Sequence, residues 1–150
     1  MTDKPKFYIA RLIGDSWEEA TDIESHFEGL HYKECDGLDK YGAIKNIYTE
    51  TYAETGELRV YLPETVAREN TDIEFVFVFD GDNRRNTYHS FVQWLSGKRL
   101  KYWDTLRNRE LEMILMESVE PEEDELWGSH PFIKVPFKFR NLKGETTKKV

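Results

Sequence analysis

Asp80-Gly81-Asp82-Asn83 is the run in this 150-residue chain whose spacing invites metal chemistry. A twelve-residue calcium loop opening at Asp80 needs an oxygen donor at its fifth position, glycine at its sixth and glutamate at its twelfth. Those positions hold Arg84, Arg85 and Phe91. The run therefore reads as a polar turn between a strand and a helix. His26, His31, His89 and His130 show no H-x-x-x-H, H-x-H or H-E-x-x-H spacing and read as surface residues. Cys35 is flanked by Glu34 and Asp36, whose charges raise a thiol pKa rather than activate it. A single cysteine also excludes an internal disulfide and any multi-cysteine metal site. Nothing selects a working pair among the 29 acids, and no nucleophile elbow, phosphate loop or dinucleotide fingerprint is present. The expectation is a chain with no catalytic residues, no cofactor and no metal: not an enzyme.

The elements around these residues are mostly strands. Phe7 to Ile13 reads as a first strand, closed by Gly14-Asp15-Ser16. The stretch from Trp17 to Leu30 is ambiguous: Ser16 and Glu19 match a helix capping box, yet the composition also suits loops. Lys45 to Leu62 reads as a hairpin turning through Glu54-Thr55-Gly56-Glu57, with Leu58, Val60 and Leu62 on one face and Arg59 and Tyr61 on the other. Ile73 to Phe79 is β-branched or aromatic at almost every position. A capping Asn86 or Thr87, apolar Tyr88, Phe91, Val92 and Leu95, and a stop at Gly97 predict a three-turn helix over residues 87–96. Arg99 to Asp104 and Arg109 to Val119 form a second hairpin, and Glu120 to His130 is an acidic loop. Phe132 to Phe139 alternates cleanly, and Pro136 predicts an edge position or a bulge. Residues 143–150 are hydrophilic and predict a flexible tail.

Strands with one apolar and one polar face need a second layer. The expected fold is mainly β: a two-layer antiparallel β-sandwich or flattened barrel with one flanking helix, in a single domain spanning residues 1–150. With 14% aromatic residues, few side chains suffice to fill its core. A net charge of -8 argues against general nucleic-acid binding, which needs a basic surface. The short apolar run after Met1 predicts neither a signal peptide nor a membrane span, so cytoplasmic synthesis is expected.

The charges are unevenly placed. Arg84 to Arg109 carries Arg84, Arg85, Lys98, Arg99, Lys101, Arg107 and Arg109 against one acid, Asp104. Glu117 to Glu125 carries Glu117, Glu120, Glu122, Glu123, Asp124 and Glu125 and no base. These are two solvated loops of opposite sign or complementary patches meeting between copies of the chain. The tyrosines of the first hairpin alternate with polar residues, which suits a contact surface. The candidate interface is therefore Tyr48, Tyr52, Tyr61, Arg84, Arg85, Arg99, Glu122, Glu123, Asp124 and Glu125. A different use of the aromatics, with Tyr41, Trp103 and Trp127 added, is a monomeric β-rich module binding a carbohydrate or small ligand.

The order of elements from Ile73 to Leu142 resembles the N-terminal domain of siphophage distal tail proteins, within the wider group of phage tail-tube-like β-sandwiches. The residues carrying it are the strand Phe75, Phe77 and Phe79, the polar turn, and the helix ending Trp94-Leu95-Ser96-Gly97. An aromatic strand then leads to Asp104, Arg107 or Arg109 opens an apolar strand, and Pro131 to Phe139 closes on Asn141. The resemblance implies a non-enzymatic phage or prophage tail protein that forms a hexameric ring between tail tube and tail tip. Other tail proteins would be its partners, and the virion tail its destination once assembled.

Overall fold

Strand-forming residues dominate the chain, and the computed structural model, which describes residues 4–121 and 124–149, pairs nearly all of them into one antiparallel sheet. The elements in chain order are β1 (Phe7–Ile13), β2 (Ser16–Trp17), β3 (Thr21–Asp22), α1 (Ile23–His26), β4 (Leu30–Asp36), β5 (Tyr48–Thr51), β6 (Leu58–Tyr61) and β7 (Thr71–Asp80). There follow α2 (Arg84–Leu95), β8 (Leu100–Asp104), β9 (Arg109–Ser118), β10 (Glu125–Trp127), β11 (His130–Asn141) and β12 (Thr147–Lys148). The main sheet runs β2-β1-β8-β9-β11-β7-β4, with β3, β10 and β12 added at β1, β11 and β9. β5 and β6 pair only with each other.

The sheet curls until its ends face one another. Phe7 on β1 stacks on Tyr32 of β4 with ring centroids 4.1 Å apart, although no ladder joins those two strands. The expected two layers thus come from one sheet bent over itself, and the flattened-barrel alternative falls away because the sheet does not close. α1 packs between β1 and β4 at the seam and buries Ile23 there.

The core is aromatic because alternate residues of β7, β8 and β11 point into the bend. Ile73, Phe75, Phe77 and Phe79 meet Ile133, Val135, Phe137 and Phe139, all essentially inaccessible to solvent. α2 lays Tyr88, Phe91 and Leu95 onto them, spaced three and then four residues apart along one stripe. Phe91 lies 5.3 Å from Phe77 and 5.4 Å from Phe137, ring centre to ring centre. Edge-to-face arrangements of this kind add to the burial itself.

Several expectations are corrected. α2 begins at Arg84, not at residue 87. Its N-cap is Asn83, and Arg84 turns its guanidinium back to donate to the Gly81 carbonyl at 3.0 Å, so Asn86 and Thr87 fall in the first turn. Residues 17–30 contain a single helical turn, because Trp17 and Thr21 are held in register opposite Leu12 and Ile9 of β1. Phe132 to Phe139 is not an edge. β11 lies between β7 and β9. Pro136 is tolerated there because its missing N–H faces the gap between β9, which pairs from Phe137 onward, and β10, which pairs up to Phe132. The proline carbonyl accepts from Val119 N–H at 3.0 Å on that side. Where residues 143–150 are expected as a tail, residues 143–145 belong to the turn after β11 and Thr147–Lys148 pair with β9: Thr147 lies opposite Glu110, and Arg109 donates to the Thr146 carbonyl at 2.7 Å.

Candidate functional site

The hairpin β5–β6 projects from the fold as a separate two-stranded ribbon. Alternating tyrosine, threonine, valine and leucine make it a strand pair, with Tyr48 opposite Tyr61 and Thr51 opposite Leu58. All eight of its strand residues are exposed. Tyr48, Leu58 and Leu62 expose 62%, 57% and 72% of their surface, far beyond the core strands. Two-stranded ribbons in water are marginal without a third partner. The Tyr48 and Tyr61 rings lie 5.6 Å apart. Tyr52 is half-buried under the Arg59 guanidinium, 4.9 Å from its ring centre, and Arg59 also donates to the Tyr61 hydroxyl at 3.4 Å. The structure thus gathers Tyr48, Tyr52 and Tyr61 on one arm.

The charged candidates divide. Arg84 and Arg85 both donate to Asp124 Oδ1, at 2.9 and 3.4 Å, so these opposite charges meet within one chain. The Arg84 hydrogen bond holds the Asp124 carboxyl below the usual carboxylate range. Glu125 pairs with Phe132 at the start of β10 and is exposed. Arg99 is exposed beyond the far end of α2. Glu122 and Glu123 lie outside the described residues.

Two polar clusters escaped the sequence reading. Asp80 Oδ2 is shared by His31 Nε2 at 3.2 Å and His130 Nε2 at 3.1 Å, which ties together β4, β7 and β11. Partial burial raises the Asp80 pKa, but the hydrogen bonds and charges of the two imidazoles outweigh this and hold it low. They border an open groove of about 510 Å³ that also includes Val78, Glu125 and Lys134. The second cluster closes the seam. Buried Asp104 accepts from Tyr102 Oη at 2.7 Å, from Arg107 N–H at 2.7 Å and from the Arg107 guanidinium at 3.0 Å. Arg107 reaches on to Tyr32 Oη at 3.4 Å. Burial first, then the Asp104 carboxylate, pushes the Tyr102 phenol upward. Cys35 borders this cluster, and burial pushes its thiol up to about 12, which keeps it protonated and unreactive. The first cluster is assembled across strands distant in the chain, so no spacing marks it; the second is local from Tyr102 to Arg107, and only its link to Tyr32 spans distant strands.

The aromatics of the ligand-binding alternative sit on different elements. Trp103 belongs to the main sheet, stacked on Tyr8 at 4.3 Å with Lys149 Nζ 5.0 Å from its ring centre. Tyr41 lies under Arg68 at the root of the arm. Among the described residues, no group of three or more histidine, cysteine or carboxylate side chains is placed to hold a metal ion. No described helix is long and apolar enough to cross a membrane.

No family model matches this sequence, and no curated protein matches it. Solved structures do match the fold. One is a chain of the phage P2 baseplate in its activated conformation with calcium, at a TM-score of 0.60 and 14% identity over 91% of this chain and 44% of that one. Another is the Dit protein of phage SPP1, described as a paradigm of the hub adsorption apparatus in phages infecting Gram-positive bacteria. It matches at a TM-score of 0.54 and 13% identity, over 92% of this chain and 50% of that one. This chain therefore spans about half the length of the structures it resembles. At such identity the likeness is one of fold.

Proposed function

We propose that this protein is a non-enzymatic structural component of a phage or prophage tail, of the distal tail type, and that it assembles into a ring of six. The observation that carries the reading is the pairing of a fold shared with baseplate and hub proteins over nine-tenths of the chain with an arm whose strands are wholly exposed. In a ring, the arm of each copy packs on its neighbour, and Tyr48, Tyr52 and Tyr61 supply the buried aromatic anchors that dominate such interfaces. Head-to-tail contacts close into a ring when the rotation per copy allows. Arg84, Arg85 and Asp124 hold the acidic hairpin β10–β11 against α2 in this arrangement, leaving Arg99, Glu125 and the acidic run to set register between copies. Other tail proteins are the further partners, and the assembled virion tail is the site of action.

The test is solution mass by light scattering across a range of concentration and salt. The expected result is a discrete oligomer of six that dissociates when Tyr48 and Tyr52 are replaced by serine. A strictly monomeric mass up to roughly 100 μM at low salt, where a μM-range Kd would already show, and in the presence of cognate tail proteins, rejects the ring.

A further inference from the structure

We infer that the turn Asn141–Glu145 is a joint that sets the direction of the β5–β6 arm. The two strands entering and leaving the arm approach each other at its root: Ile44 bridges Arg68, Lys45 N–H donates to the Ala67 carbonyl, and Glu69 N–H donates to the Ala43 carbonyl, both at 2.8 Å. The Glu69 carbonyl oxygen then sits in a slot between two glycines. A Cβ added at Gly42 or at Gly144 would overlap that oxygen. Gly42 N–H donates to the Gly144 carbonyl at 2.8 Å, which closes the slot.

The turn that presents Gly144 is itself fixed. Asn141, inaccessible to solvent, accepts from the backbone N–H groups of Lys143 and Gly144 at 3.2 Å and donates to the Glu145 carbonyl at 3.2 Å. Gly144 has φ +66°, a left-handed conformation that other residues enter at a cost. Arg68 locks the joint from outside: it donates to the Gly42 carbonyl at 3.1 Å, lies 3.5 Å from Glu145, and covers the Tyr41 ring. Asn141 also pairs with Thr71, the first residue of β7, immediately after the arm returns. One buried asparagine thus links the end of β11, the start of β7 and the root of the arm.

A ribbon without a core has no packing of its own to hold its angle. Two hydrogen bonds close the root across the arm, and a third, with a slot that admits only glycine and the Arg68 contacts, ties that root to the turn after β11. The joint rests on this geometry; its consequence, that the arm meets a neighbouring copy already oriented and loses less freedom on docking, rests on the ring reading.

Spin labels at Glu54→Cys in the hairpin loop and Ser90→Cys on α2, in a Cys35→Ser background diluted with unlabelled protein, read the arm's direction as a distance distribution. The expected result is a narrow distribution that widens about twofold in Gly144→Ala and in the milder Arg68→Gln, as when a hinge is released. The amides of Gly42, Lys45 and Glu69 should exchange with deuterium about tenfold faster, as in a local opening, with the melting temperature of the sheet within a few degrees of the parent. A folded Gly144→Ala or Arg68→Gln protein with an unchanged distribution and unchanged exchange overturns the joint. If the variants widen the distribution while the parent is monomeric, the joint stands and the ring reading fails. If the parent forms a ring and the loosened variants form it equally well, the joint's part in assembly is overturned.

Discussion

β7 and the β5–β6 arm are both strands rich in aromatic and β-branched residues, and they meet opposite fates. Phe75, Phe77 and Phe79 are sealed inside the bent sheet, whereas Tyr48, Leu58 and Val60 stand in solvent at 62%, 57% and 48% of their full exposure. The difference is not local conformation, which is extended and antiparallel in both. It is the second layer. β7 has β4 and β11 at its sides and α2 on its face, while β6 has β5 alone. Period-two alternation fixes that a segment is a strand, and only the rest of the chain fixes whether that strand is covered.

The largest effect should come from breaking the covered side of this comparison. Phe91→Ala removes the ring that contacts Phe27, Phe77, Phe79 and Phe137 at once. Truncating a buried phenylalanine costs roughly 3–5 kcal/mol. A denaturant midpoint that falls without a change in slope checks it, and an unchanged midpoint means that α2 is not docked as described.

The seam comes next. Asp104→Asn keeps an acceptor for the Arg107 N–H but removes the charge that the buried guanidinium contact and Tyr102 share. Leaving such a group poorly partnered costs about 1–3 kcal/mol. The loss should be largest at the ends of the sheet, so amides of β4 should open before those of β11 in hydrogen exchange.

Acid gives a smaller and signed effect. The Asp80 carboxyl is held below its ordinary value by His130 and His31 despite partial burial. A depressed pKa means the folded state holds the carboxylate more readily than the unfolded chain does. Its stabilisation is therefore present above the unfolded value near pH 4 and is lost as pH falls through the lower folded value. Asp80→Asn should flatten the fall in melting temperature as the pH drops below about 4. An acid limb identical to that of the parent protein would show that the two histidines do not hold Asp80.

Much of this comparison was legible in the sequence. Strands β1, β7, β8 and β9 and the hairpin follow from alternation and turn residues, and the alternation from Phe132 to Phe139 matches the buried face of β11. Three things were not legible, for physical reasons. Pro136 reads as an edge or bulge residue, and the sequence does not say which: its strand is interior, its flanking ladder is interrupted there and the β9–β11 register shifts two residues on, between Lys138 and Phe139. The start of α2 is set by the Arg84 contact with the Gly81 carbonyl rather than by a local capping residue. The contacts of Asp80 and the Arg107–Tyr32 contact join residues tens of positions apart, and Asp104 and Asn141 cap turns whose course depends on the folded sheet, so no spacing announces them. Of the candidate site, the tyrosines share an arm as expected, but Arg84, Arg85 and Asp124 form a contact inside one chain.

The smallest effect on folding should come from the exposed side, and that smallness is what separates an interaction arm from a piece of core. Tyr48→Ser combined with Leu58→Ser removes two side chains that are each more than half exposed. Surface changes away from special features stay within about 0.5 kcal/mol, so the cooperative melt of the sheet should hardly move. The same pair would cost several kcal/mol in β7, where every inward ring is enclosed. If the double variant melts several degrees lower as a dilute monomer, the arm packs on the sheet in solution and its residues belong to the fold. If the melt is unchanged while self-association weakens, the apolar side chains of β5 and β6 are retained for a partner. The separation is sharpest at low protein concentration, because association stabilises the folded state by mass action and would otherwise pass for intrinsic stability.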